Sequence, residues 1–168
     1  GLPGGRSTPP TDSKPSLLNS QAMALNFKKY ARKGEKFLEE VAMELGDMED
    51  KARAGRVLRA VLHAFRDRVT PVESLQLISQ LPMFIKAVYV DGWKVTNEYR
   101  RLRHVGDFIE AVREADGRAF ANDFVTDYEA EEAIQAVFRV LKYHVSEGEI
   151  EDVVAVLPKE LKTMLEEA

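Results

Sequence analysis

Few residue types in this chain could do chemistry, and the most regularly spaced of them are cations. Arg56, Arg59, His63 and Arg66 recur every three or four residues, which places them on one helix face as a basic stripe. Such a stripe can touch phosphates or dock an acidic protein, or it can be an exposed face whose charges pair along their own helix. The chain has 28 Asp and Glu against 24 Lys and Arg, and the stripe lacks the interleaved aromatics of a nucleic-acid surface. Nucleic acid is therefore disfavoured as a partner.

Other constellations fail on spacing. His63, His104 and His144 have no second histidine or carboxylate at the spacing of a zinc-binding helix. With no cysteine, disulfides, thiolate nucleophiles and iron–sulfur clusters are excluded. Phosphate-cradling loops, dinucleotide-binding glycines and a nucleophile elbow are all missing from the sequence. The acids Glu39-Glu40, Glu131-Glu132 and Glu149 through Asp152 read as solvated helix faces, since no Glu has a His three residues later. Asp116-Gly117 lacks the alternating acids of a calcium loop. The sequence thus predicts no cofactor, no metal and no catalytic residue.

One local cluster remains, Tyr89-Val90-Asp91-Gly92-Trp93 and the segment that follows it. Gly92 suits a left-handed helix end, and Trp93, the single tryptophan, is expected to staple two halves together by burying its indole. The alternative is a pocket between the halves lined by Tyr89, Trp93, Arg103 and His104, with Asp91 a further binding candidate.

The elements that must position these residues occur twice. Arg56 to Tyr89 returns as Glu132 to Leu165, with Leu81-Pro82 landing on Leu157-Pro158. This is the signature of a duplicated unit. An apolar stripe at Phe37, Leu38, Val41 and Leu45 is echoed by Phe108, Ile109 and Val112. The register there is about five residues shorter, so extra residues fall in Asp116 to Val125 and are expected to form a loop. A second helix follows, with Val57, Leu58, Val61, Leu62 and Phe65 on one face, repeated as Ala133, Ile134, Val137, Phe138 and Leu141. Capping boxes open at Thr70, Thr126 and Ser146, each with Glu three residues on. Pro71 suits a first helical position, and Pro82 and Pro158 break a third helix and start a fourth.

The predicted fold is all-α, two tandem four-helix repeats packed into one bundle-like domain, with repeats at 23–95 and 96–168. Residues 1–22 hold most of the prolines and little that packs, so a disordered tail or a remnant foreign to the natural chain is expected, with Met23 as its start. A length of 168 residues and 45% hydrophobic content suffice for one compact core. No apolar run approaches the ~20 residues that span a bilayer, which points to a cytoplasmic protein. Residues 23–95 carry 13 cations and 10 acids, residues 96–168 carry 9 and 17. That asymmetry can steer an unlike partner, or a second copy, to each half.

Leu81-Pro82 followed by Tyr89, Asp91-Gly92-Trp93, His104 and the helix Phe108-Ile109-Glu110-Ala111-Val112 resembles the bacterial family catalogued as domain of unknown function 2267, over about Phe37 to Glu167. Val90 and Lys94 depart from its pattern. The resemblance implies a small helical bacterial protein of the cytoplasm and transfers no catalytic residue. Together these readings favour a non-enzymatic interaction scaffold that binds an unknown protein partner or itself. A small-molecule binder or enzyme with a pocket between the repeats is the competing reading.

Overall fold

The computed structural model describes residues 25–95 and 104–168, and every element among them is helical. The expected disorder of 1–22 and the candidate Arg103 lie outside the described residues. Helix α1 (Phe27–Glu44) starts where the Asn26 side chain accepts from Lys29 N at 3.1 Å, and Gly46 follows it with a φ of +90°. Helix α2 (Lys51–Arg66) is capped by Asp50 and buries its predicted face of Val57, Leu58, Val61, Leu62 and Phe65. Two short helices follow, α3 (Pro71–Ile78) and α4 (Met83–Val90). The remaining helices are α5 (Val105–Asp116), α6 (Phe120–Asp123), α7 (Asp127–His144), α8 (Glu147–Ala155) and α9 (Lys159–Glu167).

The prolines act as their fixed φ requires. Pro71 is the first residue of α3, while Pro82 and Pro158 precede α4 and α9 with φ, ψ of −56°, 150° and −57°, 150°. Gly92, with a φ of +67°, carries the chain away from α4 in the left-handed region, as expected.

One core joins the whole. Helix α1 packs on α2, α4 and α7, helix α2 packs also on α5 and α7, and α3 lies against α8. Phe65 meets Phe138 edge-on at 6.3 Å, and Phe138 stacks on Phe108 at 6.2 Å. The two ends of the chain therefore share one apolar interior rather than forming separate bodies. No described helix is long and apolar enough to cross a membrane.

Two local expectations need correction. Asp116 to Val125 is no loop: a 3-10 turn over Gly117–Ala119 leads into α6, and Phe124 is buried in the core. A phenylalanine inserted among polar residues needs apolar cover, and the short helix delivers it. The capping boxes form by halves. Thr70, Thr126 and Ser146 each accept the amide of the Glu three residues on, at 3.2, 3.1 and 3.3 Å. The return bonds go elsewhere: Ser146 N donates to Gln80 Oε1 at 2.7 Å, and Glu129 accepts from Val125 N. Glu149 is pushed up in pKa by burial, then by Asp152 and Glu73. Acids crowded at the α3–α8 contact repel, which draws them off the cap amides.

Substituting Ala for Thr70 or Ser146 is expected to cost about 0.5–2 kcal/mol each. Replacing Glu149 with Gln should cost nothing, because its carboxylate caps no amide. Urea midpoints of the three variants measure both; a Glu149→Gln loss equal to that of Ser146→Ala would restore the full box.

Candidate functional site

The basic stripe forms on α2, but its partners are already in the chain. Arg59 Nη2 meets Asp91 Oδ2 at 3.1 Å, and His63 Nε2 donates to Val88 O at 2.7 Å. Arg66 Nη1 donates to the carbonyls of Tyr89 at 2.6 Å and Asp91 at 2.8 Å. These acceptors are the last carbonyls of α4, which have no intrahelical donor and sit at the negative end of its dipole. The stripe caps a neighbouring helix, in place of the expected pairing along its own helix. Burial lowers the His63 pKa despite that bond, so its ring is neutral at pH 7.

At the other end of α2 the arrangement is ionic. Arg56 grips Asp123 with Nε on Oδ2 at 2.9 Å and Nη2 on Oδ1 at 2.8 Å, and Arg53 Nη2 donates to Asp123 O at 2.8 Å. Asp123 is only 1% exposed, at the end of α6. Beside it Asp116 has a buried Oδ2 that meets no ordinary donor. Two facing carboxyls cannot both ionise cheaply, so Asp116 holds its proton to a higher pH than an ordinary carboxyl does. Burial first, then the hydrogen bond with Asp123, pushes the Asp116 pKa up to about 7. Burial alone would raise Asp123 too, but the Arg56 hydrogen bond and then the one from Asp116 hold it below its ordinary value. A polar cleft of about 430 Å³ opens next to this pair, lined by Glu44, Arg53, Asp123, Glu129, Glu132 and Arg139. Glu44 and Arg139 already pair across it at 2.8 Å.

The Tyr89 to His104 candidates are not gathered as a pocket lining. Tyr89 is fully buried, with its hydroxyl 2.7 Å from Ser74 Oγ, so it offers no surface to a ligand. Burial raises its pKa further. Trp93 is half-buried, edge-on to Tyr89 at 5.9 Å. Trp93 is thus less deeply buried than expected, although it packs against the core that both halves share. Asp91 is exposed and taken by Arg59. His104 opens α5 and lies 3.6 Å from Glu160 of α9.

A third feature was missed from the sequence, an apolar groove of about 340 Å³ between α1, α2 and α4. Ala31, Gly34, Leu38 and one charged residue, Glu35, form its α1 side, Gly55 and Leu58 its α2 side, and Phe84, Ile85 and Val88 its α4 side. Phe84 stays 42% exposed at the rim. The signal was present: a glycine inside an amphipathic helix costs about 1 kcal/mol against Ala and asks for a packing reason. At Gly34 the reason is visible, since an added Cβ would sit 3.2 Å from Phe84 Cβ. Gly55 has no such constraint, because an added Cβ there meets only Leu38 Cδ1, at 3.9 Å.

Residues 34–164 match the model of a family described as an uncharacterized conserved protein, DUF2267. No curated protein matches the chain significantly.

Proposed function

Because the chain belongs to the DUF2267 family, which brings a shared fold pattern but no activity, we propose from its geometry that it is a non-enzymatic helical interaction module that docks a protein partner in the groove between α1, α2 and α4. The observation that carries this reading is the groove itself. It is apolar and open at Phe84, and Gly55 widens it where no contact demands a glycine. Grooves of this kind take the apolar face of a helix.

The module is two four-helix units, α1 to α4 and α5 with α7 to α9, related by an approximate twofold axis. Three features support that arrangement. Helix α1 packs on α7 as α5 packs on α2, and α2–α7 and α3–α8 contacts are each their own mate. Arg66 caps the end of α4, and at its equivalent position Lys142 Nζ donates to the carbonyls of Glu166 and Ala168, both at 3.0 Å. Pro82 and Pro158 share one conformation. Across such an axis the two halves meet isologously, which explains the continuous core.

The test is a comparison of the wild-type chain with Gly55→Leu, whose Cβ meets only Leu38 Cδ1, at 3.9 Å, and whose further carbons take up space in the groove. With neutral amphipathic helices as probes, methyl NMR shifts at Leu38, Leu58, Ile85 and Val88 should appear in the wild type and vanish in the variant. Shifts that persist in Gly55→Leu, or that gather at the polar cleft, refute the groove reading. The polar cleft beside Asp116 and Asp123 favours a second reading, binding of a small polar molecule. Displacement of shifts to Arg53 and Glu132 on adding small zwitterions would favour it.

A further inference from the structure

Resting on that docking reading, we infer that the groove partner is an acidic amphipathic helix of another protein, held by apolar anchors in the groove and by the cations at the start of α1. The first ten residues of α1, Phe27 to Lys36, contain Lys28, Lys29, Arg32, Lys33 and Lys36 against the single acid Glu35. Among the described residues none of these five cations forms an ion pair or a side-chain hydrogen bond. The cations of α2 are neutralised by the chain's own carbonyls and carboxylates. Those of α1 await an outside anion.

Their position fits the groove. Phe27, Ala31, Gly34 and Leu38 follow one another at four, three and four residues, so they share a face and Phe27 prolongs the apolar floor beyond the groove. Phe27 is 65% exposed. Lys28 and Arg32 stand one step around the helix from Phe27 and Ala31 and are exposed, so the cations lie toward the α1 start, ahead of Glu35, the one charged residue that lines the groove itself. At the far end the Lys51–Glu39 pair, at 3.2 Å, ties α2 to α1. An entering helix would therefore lay its apolar residues on Leu38, Leu58 and Phe84, with its acids toward the α1 start.

At the equivalent positions the second unit lacks the residues that open this groove. Where the first unit has Gly34 and Gly55, the second has Val105 and Glu131, and Glu160 replaces Phe84. Glu160 there accepts from Val105 N at 2.8 Å, and Met164, the counterpart of Val88, is buried. One unit is closed and the other is open.

Two competing occupants from this chain fit less well. Residues 1–24 carry two cations and one acid, the wrong sign for the α1 cations. The acidic helices α8 and α9 bury apolar residues in the fold (Val153 and Val154, and Leu161, Met164 and Leu165), so these two are not free to enter the groove of a second copy.

The experiment uses the full chain and three synthetic four-turn helices with identical leucine faces and Glu, Gln or Lys on the other face. Binding is read by fluorescence anisotropy, with methyl NMR to locate it. The Glu helix should bind at least about tenfold tighter than the Lys helix at low salt, with the difference shrinking at high salt as charges are screened. Lys28→Glu with Arg32→Glu should reverse the order, and Gly55→Leu should remove binding of all three. Equal binding of the three helices at the groove overturns the acidic partner while leaving the docking reading intact. Failure of all three to bind, or binding that survives both Gly55→Leu and Phe84→Ala, overturns the docking reading itself.

Discussion

Tyr89→Ala is expected to destabilise the protein by about 3–5 kcal/mol, more than Trp93→Ala, which should cost about 1–2 kcal/mol. Tyr89 is fully buried and its side chain makes three contacts at once: its ring packs in the core, its hydroxyl meets Ser74, and its ring lies edge-to-face with Trp93. Ser74 is itself fully buried. Losing the phenol leaves its hydroxyl without that partner, so even Tyr89→Phe should cost about 1–3 kcal/mol. Trp93 is half-buried and gives up less area on truncation. Urea unfolding of the three variants decides the order. A Trp93→Ala cost equal to that of Tyr89→Ala would return the keystone role to the tryptophan.

Arg56→Met at pH 8 should cost about 2–3 kcal/mol, because it strands the buried Asp123 carboxylate; the cost is below that of a fully buried pair since Arg56 keeps 44% of its side-chain surface in solvent. Protonation relieves a stranded carboxylate, so the penalty should shrink as pH falls. The neighbouring Asp116 adds a separate pH signature. Its folded pKa of about 7 lies above the unfolded value of about 3.9, so the folded state holds more proton between those limits. The contribution of Asp116 to stability therefore falls as pH rises from about 4 to 7 and is level above that. Asp123, held low, acts in the opposite sense, contributing stability above its unfolded pKa that is lost as pH drops through its folded one. His63, with a lowered pKa, makes the fold less stable as pH falls below about 6.5. The wild-type profile sums all three, and its difference from Asp116→Asn isolates one. That difference should grow from pH 4 to 7 in favour of Asn; parallel profiles would show that Asp116 titrates normally.

The helices, their breaks and most of their buried faces were legible in the order of residues alone. The reason is local: proline fixes φ, hydroxyl caps satisfy amides within three residues, and apolar spacing of three and four names a face without knowledge of its partner. Gly92 ending α4 and Pro71 opening α3 are of this kind. What each charged residue meets depends on sequence separations that no periodicity encodes. Arg56 finds Asp123 67 residues away and Arg59 finds Asp91 32 away, so a stripe that reads as an open basic surface is closed by the chain itself. The reverse holds for α1, whose cations read as ordinary solvated charges until packing opens an apolar groove on the same helix. Gly34 and Gly55 are visible in the sequence as weak points of two helices. Only the approach of α4, with Phe84 against Gly34 and open space beside Gly55, decides that one glycine is a packing contact and the other leaves room for a guest.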